Sequence, residues 1–176
     1  MNIFVVNGAP GVGKTTFENA VRDILGQSKV FILSTIDPIK EMAKVIGWNG
    51  AKNDKDRKFL SDLKDLVTQY NDAPFKYIRS ELRFINNLYR SYDIPSDEVI
   101  VFIDVREPQD IKRYCEELNA KSLLIRRYIS PIETSNHADA NVENYNYDIV
   151  IENYDDLTHF LTQAKEFITA VKNSAV

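Results

Sequence analysis

Ile3-Phe-Val-Val6 runs through Asn7 into Gly8-Ala9-Pro10-Gly11-Val12-Gly13-Lys14-Thr15, and this stretch decides the fold. The eight residues match G-x-x-x-x-G-K-[ST], and an apolar strand before them with an amphipathic helix after them is the context the motif needs. Its glycines allow backbone N–H groups to converge on a phosphate without Cβ clashes, and the start of the following helix adds partial positive charge at the same point. Lys14 is placed to reach the outer phosphates of a bound nucleotide, and Thr15 to offer its hydroxyl to Mg²⁺, which takes few protein ligands. Thr16 continues the first turn. A glycine-rich turn with an incidental lysine is the bland alternative, and the full motif in its context weighs against it.

Working outward, Phe17, Ala20, Val21, Ile24 and Leu25 form one apolar stripe, and Gly26 is placed to end that helix. Short apolar runs at 3–6, 30–33, 99–103, 123–125 and 149–151 alternate with segments of helical period. Both alternating sets of these runs are apolar, so the strands are expected to be buried on both faces. The expected fold is α/β, a three-layer P-loop NTPase architecture with a five-stranded parallel sheet and helices on both faces. The longest strand-free region, 47–93, predicts two helices, one on Phe59, Leu63, Val67 and Tyr70, the other opened by Pro74 and carried by Phe75, Ile78, Leu82, Ile85 and Tyr89. It is expected to be an acceptor-binding insert in a single domain. Residues 126–146 are polar, carry Pro131 and join the fourth strand to the fifth, which suits a short lid.

Composition excludes several classes. A net charge of -4 and a pI near 5.3 give no basic field for holding nucleic acid, so any anion must be gripped locally. With one cysteine and two histidines there is no disulfide framework and no zinc spacing. Cys115 is expected in the core, and His137 and His159 at the surface. No apolar run approaches membrane-spanning length and no leader pattern is evident, so a cytoplasmic setting is expected.

Asp104 closes the run 99–103, as a Walker B carboxylate does, and is assigned to Mg²⁺; a helix cap or an arginine partner is the plainer role. Arg106 lies two positions on. Arg126 and Arg127 leave the fourth strand where a parallel sheet faces its ligand crevice. Arg79 and Arg83, four apart on one helical face, either grip phosphate or form a solvated face with acids such as Glu81. Asp37 and Lys40 are equally read as the first turn of the helix that Pro38 begins. The aromatic residues of the insert, Trp48, Phe59, Tyr70, Phe75 and Tyr77, could stack a base but are more simply packing residues.

Four segments together resemble the deoxynucleoside monophosphate kinase family of bacteriophages and bacteria, within the nucleoside monophosphate kinase-like P-loop proteins. They are the P-loop, Asp37-Pro38-Ile39-Lys40, Asp104-Val105-Arg106-Glu107-Pro108, and Tyr147-Asp-Ile-Val-Ile-Glu-Asn153 with Asp156-Leu157. Gln109-Asp110 stand where the family often has asparagine-glutamate, and His137-Ala138-Asp139 where its lid commonly has histidine and then serine-glutamate. The resemblance implies phosphoryl transfer from ATP with Mg²⁺ to a nucleoside monophosphate. It implies the acceptor near Asp37, Lys40 and Arg106; from their own helix Arg79 and Arg83 could point into the same cleft, and Lys14 and Arg106, with Arg126 and Arg127 brought in by lid closure, are expected to serve the transfer. The expected partners are small-molecule nucleotides, with no nucleic acid and no membrane, and a homodimer is left open. The rivals are a kinase of another phosphorylated metabolite and a nucleotide-dependent switch or regulatory ATPase.

Overall fold

The computed structural model describes residues 1–51, 53–93, 95–127, 142–154 and 156–173. Five strands, β1 (Asn2–Asn7), β2 (Val30–Ser34), β3 (Ile100–Asp104), β4 (Lys121–Arg127) and β5 (Ile149–Asn153), form one parallel sheet in the order β2-β3-β1-β4-β5. The five strands expected from the apolar runs are those five. β1 is central, with Phe4 opposite Phe102 on β3 and Val6 opposite Leu123 on β4. Six helices are described: α1 (Lys14–Leu25), α2 (Asp37–Val45), α3 (Asp54–Asn71), α4 (Ala73–Ser91), α5 (Pro108–Leu118) and α6 (Leu157–Asn173). Among the described residues no helix is long and apolar enough to cross a membrane.

By contact the chain divides into two compact units, Met1–Ile32 with Pro95–Val176, and Leu33–Ile94. In the first, alternate strand residues face opposite helices, as a pleated strand requires. Phe4, Val6, Phe102, Leu123, Ile125 and Ile151 join Phe17, Ala20 and Val21 of α1 and Phe160, Ala164 and Phe167 of α6 in one core. Its aromatic centre holds Phe17 edge-on to Phe167 at 5.4 Å and Phe4 edge-on to Phe167 at 4.8 Å. Val5 and Leu124 point the other way, on the side where α5 packs on β1 and β4 through buried Ile111 and Tyr114. α1 ends as expected, with Gly26 at φ 97° donating its N–H to Arg22 O at 2.8 Å. Ile24, on the predicted stripe, is nevertheless exposed, and so are Leu157 and Leu161 of α6. Cys115 is half-buried, short of the core position expected, and burial pushes its thiol up to about 11.

In the second unit α2 packs on α3 and α4, so this unit begins before residue 47, where the insert was expected to start. Asp72 alone separates α3 from α4, in the left-handed region at φ 59°, which aspartate tolerates better than most side chains. Pro74 then fits the first turn of α4. The α4 stripe is buried as read: Phe75, Ile78, Leu82, Ile85 and Tyr89. That of α3 is not, because no α3 residue is fully buried and Tyr70 is 83% exposed.

Candidate functional site

β1 delivers the chain to the C-terminal edge of the sheet, and the glycine loop turns there. Gly8 sits at φ 152°, and a Cβ on it would lie 2.5 Å from the Ile125 carbonyl oxygen, so β4 leaves room only for glycine. Gly13, the residue before α1, sits at φ 107°, and its missing Cβ would meet Asn153 Nδ2 at 2.9 Å and the Phe160 ring at 3.2 Å. Neighbouring strands brace the loop. Asn153 on β5 donates to Val12 O at 2.9 Å, and Arg127 on β4 donates to Gly11 O at 3.4 Å. These two residues stand in register on adjacent strands. Lys14 Nζ donates to the carbonyls of Gly8 and Ala9. Thr15 and Thr16 are exposed, and the first turn of α1 carries no acid, so the partial positive charge of the helix start is left for a ligand.

Asp104 ends β3 directly opposite Val6, and the next residue extends the pairing, Val105 N–H donating to Val6 O at 3.0 Å. A carboxylate is thereby set on the strand beside the one that feeds the loop. By strand parity Asp104 shares a face with Phe102, the face that α1 covers. Glu18 lies there, one turn beyond Lys14 and 1% exposed, and its Oε1 has no hydrogen-bond partner among the described residues. Burial foremost, then the charge of Asp104, raises its carboxyl from 4.5 to about 8, against the opposing pull of Lys14 and Arg22. Near neutral pH it holds its proton and adds little negative charge beside Asp104.

The opposite face holds a second polar group. Asn7 is 1% exposed, and its Oδ1 accepts from Gly8 N–H at 2.8 Å. Its Nδ2 donates to Arg106 O at 3.1 Å and to Tyr147 Oη at 2.8 Å, and the tyrosine hydroxyl donates to Val142 O at 2.8 Å.

Among the sequence-predicted residues, Gly8 to Thr16, Asp104, Arg106, Arg126 and Arg127 all belong to the first unit, at the C-terminal ends of β1, β3 and β4. Arg126 and Arg127 were expected to act together, but both are in β4 and consecutive strand residues point to opposite faces. Arg127 reaches the glycine loop, while Arg126 Nε donates to Glu143 at 3.0 Å and its Nη1 lies 4.0 Å from Glu152. The Arg106 side chain is exposed. Of the proposed lid, residues 128–141, which include Pro131 and His137, lie outside the described residues. Asp37, Lys40, Arg79 and Arg83 belong to the second unit. There Asp37 opens α2, accepts the Ser34 N–H at 3.1 Å and has Lys40 Nζ at 3.4 Å. Arg79 and Arg83 are exposed, Arg79 with its guanidinium 6.0 Å from the centre of the Phe75 ring. Burial and the charges of Glu81, Asp37 and Glu41 raise the Tyr77 hydroxyl.

No protein-family model matches the sequence, and no curated protein does. Solved structures with a similar chain course include a dephospho-CoA kinase from Campylobacter jejuni, 17% identical over 97% of both chains with a TM-score of 0.48. A shikimate kinase from Bacteroides thetaiotaomicron is 13% identical over 96% of this chain and 98% of its own, with a TM-score of 0.45. A sugar kinase from a Janibacter species is 15% identical over 97% and 98%, with a TM-score of 0.48. Neither identity nor superposition is high enough to say more of this chain than its own strand order and glycine loop do.

Sequence reasoning passed over Asn7, Glu18 and Glu143, and took Tyr147 only as the start of a segment that resembles the family. Two of these left a signal. Asn7 is an amide ending a wholly apolar run, and Glu18 sits between Phe17 and the Ala20–Val21 pair on the inward side of α1. Glu143 and Tyr147 sit in a polar stretch whose pairing with Arg126 and Asn7 depends on strand order, which no local pattern states.

Proposed function

We propose that this chain is a phosphotransferase that uses Mg·ATP to phosphorylate a nucleoside monophosphate, with deoxynucleoside monophosphates as the acceptor class. The observation that carries the proposal is the register of Asp104 with Val6 at the strand end from which the glycine loop departs, with Arg106 two residues further on. It supports a phosphate cradle, a metal-type carboxylate and an arginine lying together at the ends of two adjacent strands. Phosphoryl transfer asks little covalent chemistry of a protein; it asks that both phosphates be held in line and that developing charge be neutralised.

In this reading backbone amides of the loop beyond Pro10, from Gly11 to Thr16, and the Lys14 ammonium hold the donor phosphates, and Arg127, already against the loop, serves the same phosphates. Thr15 and Asp104 are oxygen donors of the kind magnesium takes, and that ion would supply charge neutralisation at the transferring group. Arg106 takes the acceptor phosphate. Asp37 and Lys40 serve the acceptor on the strength of the family resemblance, Arg79 and Arg83 on that of their shared helical face, and Arg126 joins the transfer by leaving Glu143. A cytoplasmic setting is part of the same proposal.

The test is ADP release, coupled to a dye, over a panel of ribo- and deoxyribonucleoside monophosphates. At least one deoxynucleoside monophosphate is expected to turn over. Lys14→Ala should lower kcat/KM by about a hundredfold to a thousandfold, the scale of losing one preorganised charge contact. Arg106→Ala should raise the acceptor KM about tenfold or more while leaving that of ATP nearly unchanged. ATP turnover that no acceptor accelerates would favour the regulatory ATPase instead.

A further inference from the structure

Asn7 is out of place by composition. It follows three buried apolar residues, Phe4, Val5 and Val6, and is itself buried, where a branched aliphatic side chain would pack without needing any partner. An amide in such a position destabilises the fold unless its polar atoms are matched. Here its oxygen and both N–H groups have partners: Gly8 N–H, Arg106 O and Tyr147 Oη. The orientation of the amide is not arbitrary, since Gly8 N–H can only donate and Arg106 C=O can only accept. Tyr147 completes the chain by donating to Val142 O. Burial keeps that hydroxyl protonated up to about 12, so it remains a donor throughout the working pH range.

The three segments joined this way have distinct roles in the proposed reaction. Gly8 opens the donor-phosphate loop. Arg106 carries the side chain assigned to the acceptor phosphate. Val142 is the first described residue after β4. The backbone around Arg106 is pinned on both sides, by Val105 N–H on Val6 O and by Arg106 C=O on Asn7, before Glu107 and Pro108 start α5. Its side chain stays exposed while its backbone is fixed to the strand that feeds the donor loop.

We propose, resting on the kinase reading above, that Asn7 and Tyr147 are positioning residues that lock the Arg106 backbone to the entrance of the glycine loop and so hold the acceptor-phosphate arginine in register with the donor site. The pair acts through Arg106 and touches no substrate. A plain structural brace would affect stability and both substrates alike; a positioning pair affects the acceptor.

Tyr147→Phe removes one hydroxyl and no packing volume. It should speed hydrogen exchange about tenfold in the peptide covering residues 104–108, and raise the acceptor KM about tenfold, the factor for one lost hydrogen bond, with the ATP KM changed less than about twofold. Asn7→Asp keeps the acceptor for Gly8 N–H but cannot donate to Arg106 O, and should show the same split. The double variant should be no worse than the worse single, because both break one connection. If Asn7→Asp does not fold, Tyr147→Phe alone decides. Unchanged exchange in 104–108, or two KM values rising together, overturns the proposal. Arg106→Ala provides the reference: acceptor KM raised with exchange at 105 unchanged. Should the wild-type protein turn over no acceptor, the kinase reading fails, and the exchange comparison still decides whether Asn7 and Tyr147 hold the Arg106 backbone.

Discussion

Glu18 shows how one residue records the character of its site. A carboxyl placed on the inward side of α1 would ordinarily be excluded from such a position, since a buried charge without a partner is costly. This one escapes the penalty by keeping its proton, with its titration raised to about 8 by burial and by Asp104. The linkage has a definite sign. A group whose folded pKa lies above its unfolded value binds more protons when folded, so its contribution is fully present below 4.5 and is lost as pH rises through about 8. The wild-type protein should therefore lose thermal stability relative to Glu18→Gln between about pH 5 and pH 8.5, by several degrees in Tm. Scanning calorimetry of the two proteins across that range measures it directly. Parallel Tm curves would mean that the carboxyl is ionised in the fold, satisfied by Lys14 or Arg22.

At the level of elements, legibility followed burial. The five strands could be read from the sequence because each is an apolar run; the inner strands β1, β3 and β4 are buried on both faces as expected, whereas edge strand β5 buries only Ile151 and leaves Val150 42% exposed. The α4 stripe was legible for the same reason, and the α3 stripe misled. Helix α3 has the period of an amphipathic helix and packs on α2 and α4, yet none of its residues is fully buried, because periodicity records which face is apolar without recording how much covers it. The glycine loop and Asp104 were legible as local patterns. The connections of Asn7 to Tyr147 and Arg126 to Glu143 were not, since they join residues 140 and 17 positions apart. The contrast between α3 and α4 is measurable. Leu82→Ala, at a position 7% exposed, should cost about 2–5 kcal/mol in urea unfolding, and Leu66→Ala, at 63% exposed, less than about 0.5 kcal/mol. Equal effects would mean that the outer face of α3 is covered in solution.

Taken whole, the molecule is acidic, with a formal charge of -4, yet its proposed ligand is a polyanion. Long-range attraction therefore works against binding, and the affinity has to come from contacts within a few ångströms: loop amides, the α1 start, Lys14 and Arg127. Contacts at that range are screened much less by salt than charges separated by more than a Debye length. Raising ionic strength should consequently weaken a nucleotide analogue only slightly, whereas a site relying on a diffuse basic surface would lose it steeply. Ligand linkage makes this visible in one instrument. At a hundred times its dissociation constant a non-hydrolysable ATP analogue with magnesium should add about 2.7 kcal/mol, which for a chain of 176 residues is a rise in Tm of about 5–10 °C. Most of that rise should survive roughly 0.3 M salt, shrink when magnesium is chelated and disappear in Lys14→Ala. A rise that persists undiminished in Lys14→Ala would place the nucleotide elsewhere than the Gly8 turn, and one that collapses with modest salt would replace the local grip with a surface field this sequence does not possess.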